Sequence, residues 1–186
     1  PAVARAFEAA LAWLAAAGVR IAARRSAGVR RAADSGVQGI IASAEAWALH
    51  RALIAARERE LDPRVAPRIR GGAAIGAAEY VEAVRLRAGI VAGWAEESAG
   101  CDAWIAPTVA CTAPPLAPLE RDDLLYARAD LRALRNTSIV NALDGCALTL
   151  PCQAPGDAPV GLMLFAPPWR DRTLLAVGLA VEAALA

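Results

Sequence analysis

Apolar residues along the chain recur with two periods, and the switching between them divides it into helices and short strands. At the start, Val3, Phe7, Leu11 and Leu14 share one side of a 3.6-residue repeat, Pro1 suits a first helical turn and Gly18 a C-terminal cap. Residues 1–17 are therefore expected to be a helix. Residues 19–21, Val-Arg-Ile, read as a short strand, and residues 22–37, with Gly28, Gly36 and several arginines, read as a loop. Residues 38–60 have helical composition. Asp62 and Pro63 then restart a short helix that Gly71 and Gly72 close. The clearest pattern follows: Ala77, Val81, Val84, Ala88, Val91 and Ala95 form an apolar stripe that stops at Gly100. Residues 103–106 read as a strand and the prolines at 107, 114, 115 and 118 as an extended loop. Asp122 caps a helix running through residue 143, and strands at 147–150 and 160–165 come after it. Asp171 caps a last helix with Leu174, Val177, Val181 and Leu185 on one face. Helices alternating with short apolar strands predict an α/β layer fold, and no internal repeat is visible.

Composition sharpens this reading. With 186 residues, 57% of them hydrophobic and 21% charged, the chain has the material for one core and is expected to form part of a single domain over residues 1–186. No window approaches the run of about 20 apolar residues of a membrane helix, so no membrane partner is expected. All 20 basic residues are arginine. That excludes any mechanism in which this chain supplies a lysine amine. The net charge of +1 hides an asymmetry. Residues 1–75 hold 12 Arg against 6 acids and residues 76–186 hold 8 against 13, so the halves carry +6 and −5 and are suited to pair. The cluster Arg20, Arg24, Arg25, Arg30 and Arg31 comes without a helix-turn-helix, zinc-finger or RNP-like pattern, so no nucleic-acid partner is expected.

Candidate chemistry is sparse. Cys101, Cys111, Cys146 and Cys152 with one histidine assemble neither a CxxC knuckle nor a His/Cys set, so no metal is expected. Four thiols without a signal-like start point to reduced cysteines in a cytoplasm. His50, with Trp47 three residues before it and Ile54 four after, reads as a boundary histidine before a base. None of Ser26, Ser35, Ser43, Ser98 and Ser138 sits in a G-x-S-x-G elbow. The informative polar set is Thr137, Asn141 and Asp144, spaced i, i+4 and i+7 on one helical face, with Asn136 and Ser138 beside it in an otherwise apolar segment. Such a stripe either caps the helix and ties it to neighbouring loops or forms a wall that orients a polar substrate.

Several segments, in order, resemble one family. These are Leu61-Asp-Pro-Arg-Val65, Glu79-Tyr-Val-Glu-Ala83, Cys101-Asp-Ala-Trp-Ile-Ala-Pro-Thr108, Asn141-Ala-Leu-Asp-Gly-Cys-Ala-Leu-Thr-Leu-Pro-Cys152, Pro159-Val-Gly-Leu-Met-Leu164 and Pro168-Trp-Arg-Asp-Arg-Thr-Leu-Leu175. Together they are similar to the C-terminal portion of the amidase signature family. The resemblance implies an α/β/α layered fold with a mixed central sheet and hydrolysis of carboxamide C–N bonds through an acyl-serine intermediate, without a cofactor. It also implies a serine nucleophile activated by a second, cis-bonded serine and a lysine, all in the family's N-terminal half. No catalytic residue is then expected in this chain, and the segment alone is expected to be inactive.

What the resemblance assigns to this chain is part of the acyl-side wall, through Asn136, Thr137, Asn141 and Asp144. It implies as partners an amide substrate and the N-terminal half of the same domain, with a homodimer as a further candidate, and exposed sheet edges and helix faces where that half would pack. Three departures narrow the substrate. Where many relatives have Gly and Pro in an N-x-x-G-x-P-A pattern, this chain has Asp144 and Cys146, a variant similar to that of allophanate hydrolases and of some uncharacterised bacterial amidases. Leu134 stands where tRNA-dependent amidotransferases read the glutamine amine with an Asp, so a glutamine donor is not expected, and Met163 replaces a usual Gln. The rival reading is a non-catalytic α/β binding or scaffold module of the same ancestry.

Overall fold

A computed structural model describes residues 2–185. Helix α1 (Ala2–Ala16) is followed by α2 (Ala27–Asp34), α3 (Val37–Arg57), α4 (Ala66–Gly71), α5 (Ala77–Glu97) and strand β1 (Trp104–Pro107). Then come α6 (Leu116–Arg121), α7 (Asp123–Ala142), β2 (Cys146–Pro151), β3 (Gly161–Ala166) and α8 (Asp171–Leu185). The strands form one sheet in the order β1-β3-β2. The resemblance implies a mixed sheet for the whole domain, and in the part of the α/β fold formed by the described residues each strand is antiparallel to its neighbour.

The sheet lies between two helical layers, and the two-residue period of β3 divides them. Leu162, Leu164 and Ala166 point into a core made with Ala10 and Leu14 of α1 and Leu174 and Val181 of α8. Met163 and Phe165 point the other way, into a core made with Ala32, Val37, Ile90, Trp94 and Val140. Because β3 is central and covered on both faces, it reads as an unbroken apolar run, and of its two neighbours only β2 alternates between half-buried and exposed residues. Met163 is one of these buried residues. Among the described residues, no helix is long and apolar enough to cross a membrane.

Three expectations are corrected. Residues 19–21 form no strand; Val19 and Ile21 are exposed and lie beside no ladder. Residues 22–37 are a loop only in part, because Ser26 starts α2 at Ala27, capping it by accepting from Val29 N at 3.0 Å. The Glu97 carboxylate of α5 adds to this cap by accepting from Gly28 N at 3.1 Å and from the Ser26 hydroxyl. A negative charge at that helix start is where the backbone dipole favours one. On α5 the buried residues are Ala83, Ile90 and Trp94, while Val81 and Val84 are about two-fifths exposed at 44% and 40%. That helix is apolar on two sides, and the side holding the tryptophan removes more area from water. One boundary also moves: Asp62 opens a turn by accepting from Arg64 N at 2.7 Å, and α4 starts only at Ala66.

Trp94 is accommodated by a glycine. A Cβ added at Gly28 would lie 2.6 Å from Trp94 Cβ and 3.1 Å from its Cα, so α2 touches α5 only because that position has no side chain. Gly28→Ala should therefore cost about 1–3 kcal/mol, the usual range for overpacking. Urea unfolding followed by tryptophan fluorescence measures it, and an unchanged midpoint would refute the close contact.

Candidate functional site

The polar residues of α7 gather at two places. Near the middle of the helix, Asn136 Nδ2 donates to the carbonyl of Pro107 at 2.8 Å, tying α7 to the last residue of β1. The chain then continues one residue along the sheet, Thr108 N donating to Gly161 O at 2.9 Å. The Thr108 and Thr149 hydroxyls meet at 3.0 Å across that end of the sheet. Gly161 between them is enforced: a Cβ there would be 2.5 Å from Thr108 Oγ1 and 2.6 Å from Thr149 Cγ2. Thr137, the next residue on α7, donates its hydroxyl to Leu134 O of its own helix at 3.1 Å.

The second place is the C-terminus of α7. The Gly145 N–H returns to Val140 O and the Asp144 N–H to Asn141 O, both at 3.1 Å, which is the Schellman pattern. Its left-handed residue is Asp144, at φ +53°, where glycine would be the unstrained choice. Arg87 of α5 completes the turn. It donates to Ala142 O at 3.2 Å, Asn141 O at 2.7 Å and Asp144 Oδ1 at 2.8 Å, satisfying helix-end carbonyls and holding the aspartate in place. Asn136 and Asp144 are thus kept apart by about 12 Å of helix. The set contains one residue tied to the sheet, one bonded within its own helix and two at a capped terminus.

Two clefts open nearby, and none of these four residues lines either. One, of about 810 Å³, separates α1 from the β2–β3 connection and is walled by Arg5, Trp13, Cys152, Gln153 and Asp157. The other, of about 730 Å³, runs between the Pro-rich segment and α7, with Cys111, Pro115 and Leu119 facing Leu125, Arg128 and Arg132. The α7 residues of this second groove recur every three to four positions, and one turn beyond Arg132 the same face reaches Asn136.

Little here is chemically reactive. Burial, and secondarily the Asp171 carboxylate, push the Cys146 thiol above its ordinary pKa, and burial does the same for Cys152. Both are poor nucleophiles at neutral pH. Since the folded value is the higher one, the stability these neutral thiols contribute is complete below the ordinary thiol pKa and is lost as pH rises through the raised value. Three of the serines have structural roles: Ser26 caps α2, Ser35 accepts from Val37 N, and Ser98 takes the Trp104 Nε1 donor at 2.8 Å. His50 is half-buried on α3. Among the described residues, no group of three or more His, Cys, Asp or Glu is placed to hold a metal ion.

Comparison with known proteins decides the family. The amidase family model matches residues 1–175. The chain belongs to the amidase family. It is 34% identical to the 2-amino-5-chloromuconic acid deaminase of Comamonas testosteroni, over 98% of this chain and 40% of that protein. The fold matches Kluyveromyces lactis allophanate hydrolase with a TM-score of 0.84 at 23% identity, over all of this chain and 30% of that structure. It also matches 6-aminohexanoate cyclic dimer hydrolase with a TM-score of 0.77 at 22% identity, over all of this chain and 42% of that structure. The chain thus spans less than half the length of these proteins.

Sequence reading missed Arg87, Thr149 and the role of Gly161. Arg87 left no usable signal, because the stripe of Ala83, Ile90 and Trp94 beside which it falls is recognised only once the buried face of α5 is known. Arg87→Ala should destabilise by about 1–2 kcal/mol, mainly through the two carbonyls, because the half-exposed Asp144 adds little by charge alone. In an Asp144→Gly background the same change should cost less, since glycine holds the turn unaided. A double-mutant cycle by chemical denaturation measures this coupling, and strict additivity would remove the clamp.

Proposed function

We propose that this chain is the C-terminal part of an amidase that cleaves carboxamide C–N bonds through an acyl-serine intermediate, with the nucleophile outside these residues. The observation that carries the reading is the family match along nearly the whole chain, combined with coverage of 40% of the 2-amino-5-chloromuconic acid deaminase. In this mechanism a serine Oγ attacks the amide carbonyl carbon, the C–N bond breaks as the amine leaves with a proton, and water then releases the acid and regenerates the serine. A lysine that moves the proton has to come from elsewhere, since this chain has only arginine.

The proposed contribution of this chain is the acyl-side wall along α7. The groove beside the Pro-rich segment leads along the helix toward Asn136, where the Thr108 and Thr149 hydroxyls also stand. Thr137, Asn141 and Asp144 extend that wall toward the helix end, the Asp144 carboxylate being shared with Arg87. The partners of the reading are an amide substrate and the remainder of the amidase domain, in a cytoplasmic setting that suits four free cysteines.

The test is kinetic. The intact protein should hydrolyse simple aryl or alkyl carboxamides, and the 186-residue chain alone should not; turnover by the chain alone would overturn the placement of the nucleophile. In the intact protein, Thr137→Ala and Asn141→Ala should each lower kcat/KM by about tenfold, equivalent to roughly 1.4 kcal/mol of transition-state stabilisation. Unchanged kinetics in either variant would remove that residue from the wall.

A further inference from the structure

Arg64 lies outside both clefts, yet it ties together the two helices that form the sides of the second one. Its backbone is held by the turn at Asp62, Arg64 N donating to Asp62 Oδ1 at 2.7 Å. Its guanidinium then makes three different contacts. Nε donates to Asp123 Oδ1 at 2.9 Å, at the first residue of α7. One terminal nitrogen donates to Leu119 O at 3.1 Å, one of the last carbonyls of α6, which has no partner within so short a helix. The guanidinium carbon lies 4.2 Å from the centre of the Tyr126 ring, on the next turn of α7. A second pair on the same side, Arg68 with Asp130 at 2.9 Å, adds a contact one turn further along.

These contacts matter because α6 has little else to hold it. It has six residues, none of them buried, and joins α7 through Asp122 alone. Asp123, Tyr126 and Asp130 occupy one face of α7, and Leu125, Arg128 and Arg132 of the adjoining face line the groove. The opposite wall includes Pro118 and Leu119 of α6. The angle between α6 and α7 therefore sets the groove width, and Arg64 spans that joint from outside.

We infer that Arg64 is a positioning residue for the acyl-side groove: it holds α6 against α7 and so fixes the width of the space that receives the acyl part of the substrate. This rests on the proposed amidase function only for the identity of what enters the groove. Arginine is required chemically. Lysine would keep the charge beside Asp123, but a single ammonium cannot also reach Leu119 O in a fixed fork and lie flat on Tyr126.

Cys111 lines the groove and provides a readout independent of catalysis. In the intact protein, alkylation rates resolved for each cysteine by mass spectrometry should show Cys111 reacting about fivefold faster or more in Arg64→Ala, as expected for loss of a charge-assisted hydrogen bond. Cys146, packed against the other face of the sheet, should be unchanged. Arg64→Lys and Tyr126→Leu should fall between wild type and Arg64→Ala. With an amide substrate, Arg64→Ala should raise KM several-fold while kcat stays within about twofold.

An unchanged Cys111 rate would overturn the inference, as would an equal acceleration of all four cysteines with a lowered Tm, which marks global loosening. An altered Cys111 rate in an intact protein that hydrolyses no amide would leave the latch standing and remove the amidase function.

Discussion

The packing of Trp94 is the constraint on which the rest of the structure depends. Its ring is fully buried and stacks on Phe165 of β3 at 5.9 Å. It lies against Gly28 of α2 on one side and Gly145, at the end of the α7–β2 turn, on the other. One side chain thus sets the spacing of two helices, the central strand and the turn that carries Asp144. The cost is visible as well, because the indole Nε1 is buried without a hydrogen-bond partner. Leaving that donor unpaired costs about 1–3 kcal/mol, whereas burying a ring of about 200 Å² contributes about 5 kcal/mol, so the aromatic surface prevails. Phe165 extends the stack to Trp104 at 6.4 Å, and Trp104 in turn donates to Ser98 at the end of α5.

A second theme is the use of charged side chains as caps supplied from another element. Glu97 reaches the N-terminus of α2, Arg64 the C-terminus of α6 and Arg87 the C-terminus of α7. Each places the charge where the helix end attracts it. The absence of lysine first narrows the chemistry this chain can perform. In the folded protein the arginines do what a lysine cannot, since a planar fork bonds two carbonyls and a carboxylate at once. The charge asymmetry along the chain finds a partial explanation in the same contacts. Arg64 with Asp123 and Arg68 with Asp130 pair the basic first part with the acidic second. The cluster from Arg20 to Arg31 is different, for all five of its arginines are exposed.

Much of the layered fold was legible because its elements are governed by local rules. The Asp122 cap is an example: its carboxylate accepts from Leu124 N and Leu125 N at 2.9 Å, an interaction confined to four residues. The β2 and β3 strands and the terminal helices were legible through apolar period for the same reason. The strand expected at residues 19–21 was not realised, since strand formation needs a partner edge that short-range pattern does not reveal. The helix at Ala27–Asp34 was missed because its low mean apolarity resembles a loop until Glu97, 69 residues from Gly28, closes its first turn.

The sequence by itself determined most of the long helices, the three strands of the sheet and the family. Only the tertiary structure decided which face of α5 is buried, that Asp144 and Arg87 share one turn, and that Asn136 meets the sheet while Asn141 sits at a helix end. The reason is physical. Periodicity encodes what a residue does relative to its own helix or strand, whereas the choice between two apolar faces, or the partner of an isolated charge, depends on distant residues. Gly28 lies 66 positions from Trp94, and Arg87 lies 57 positions from Asp144. Nothing in the spacing of either pair announces that they meet.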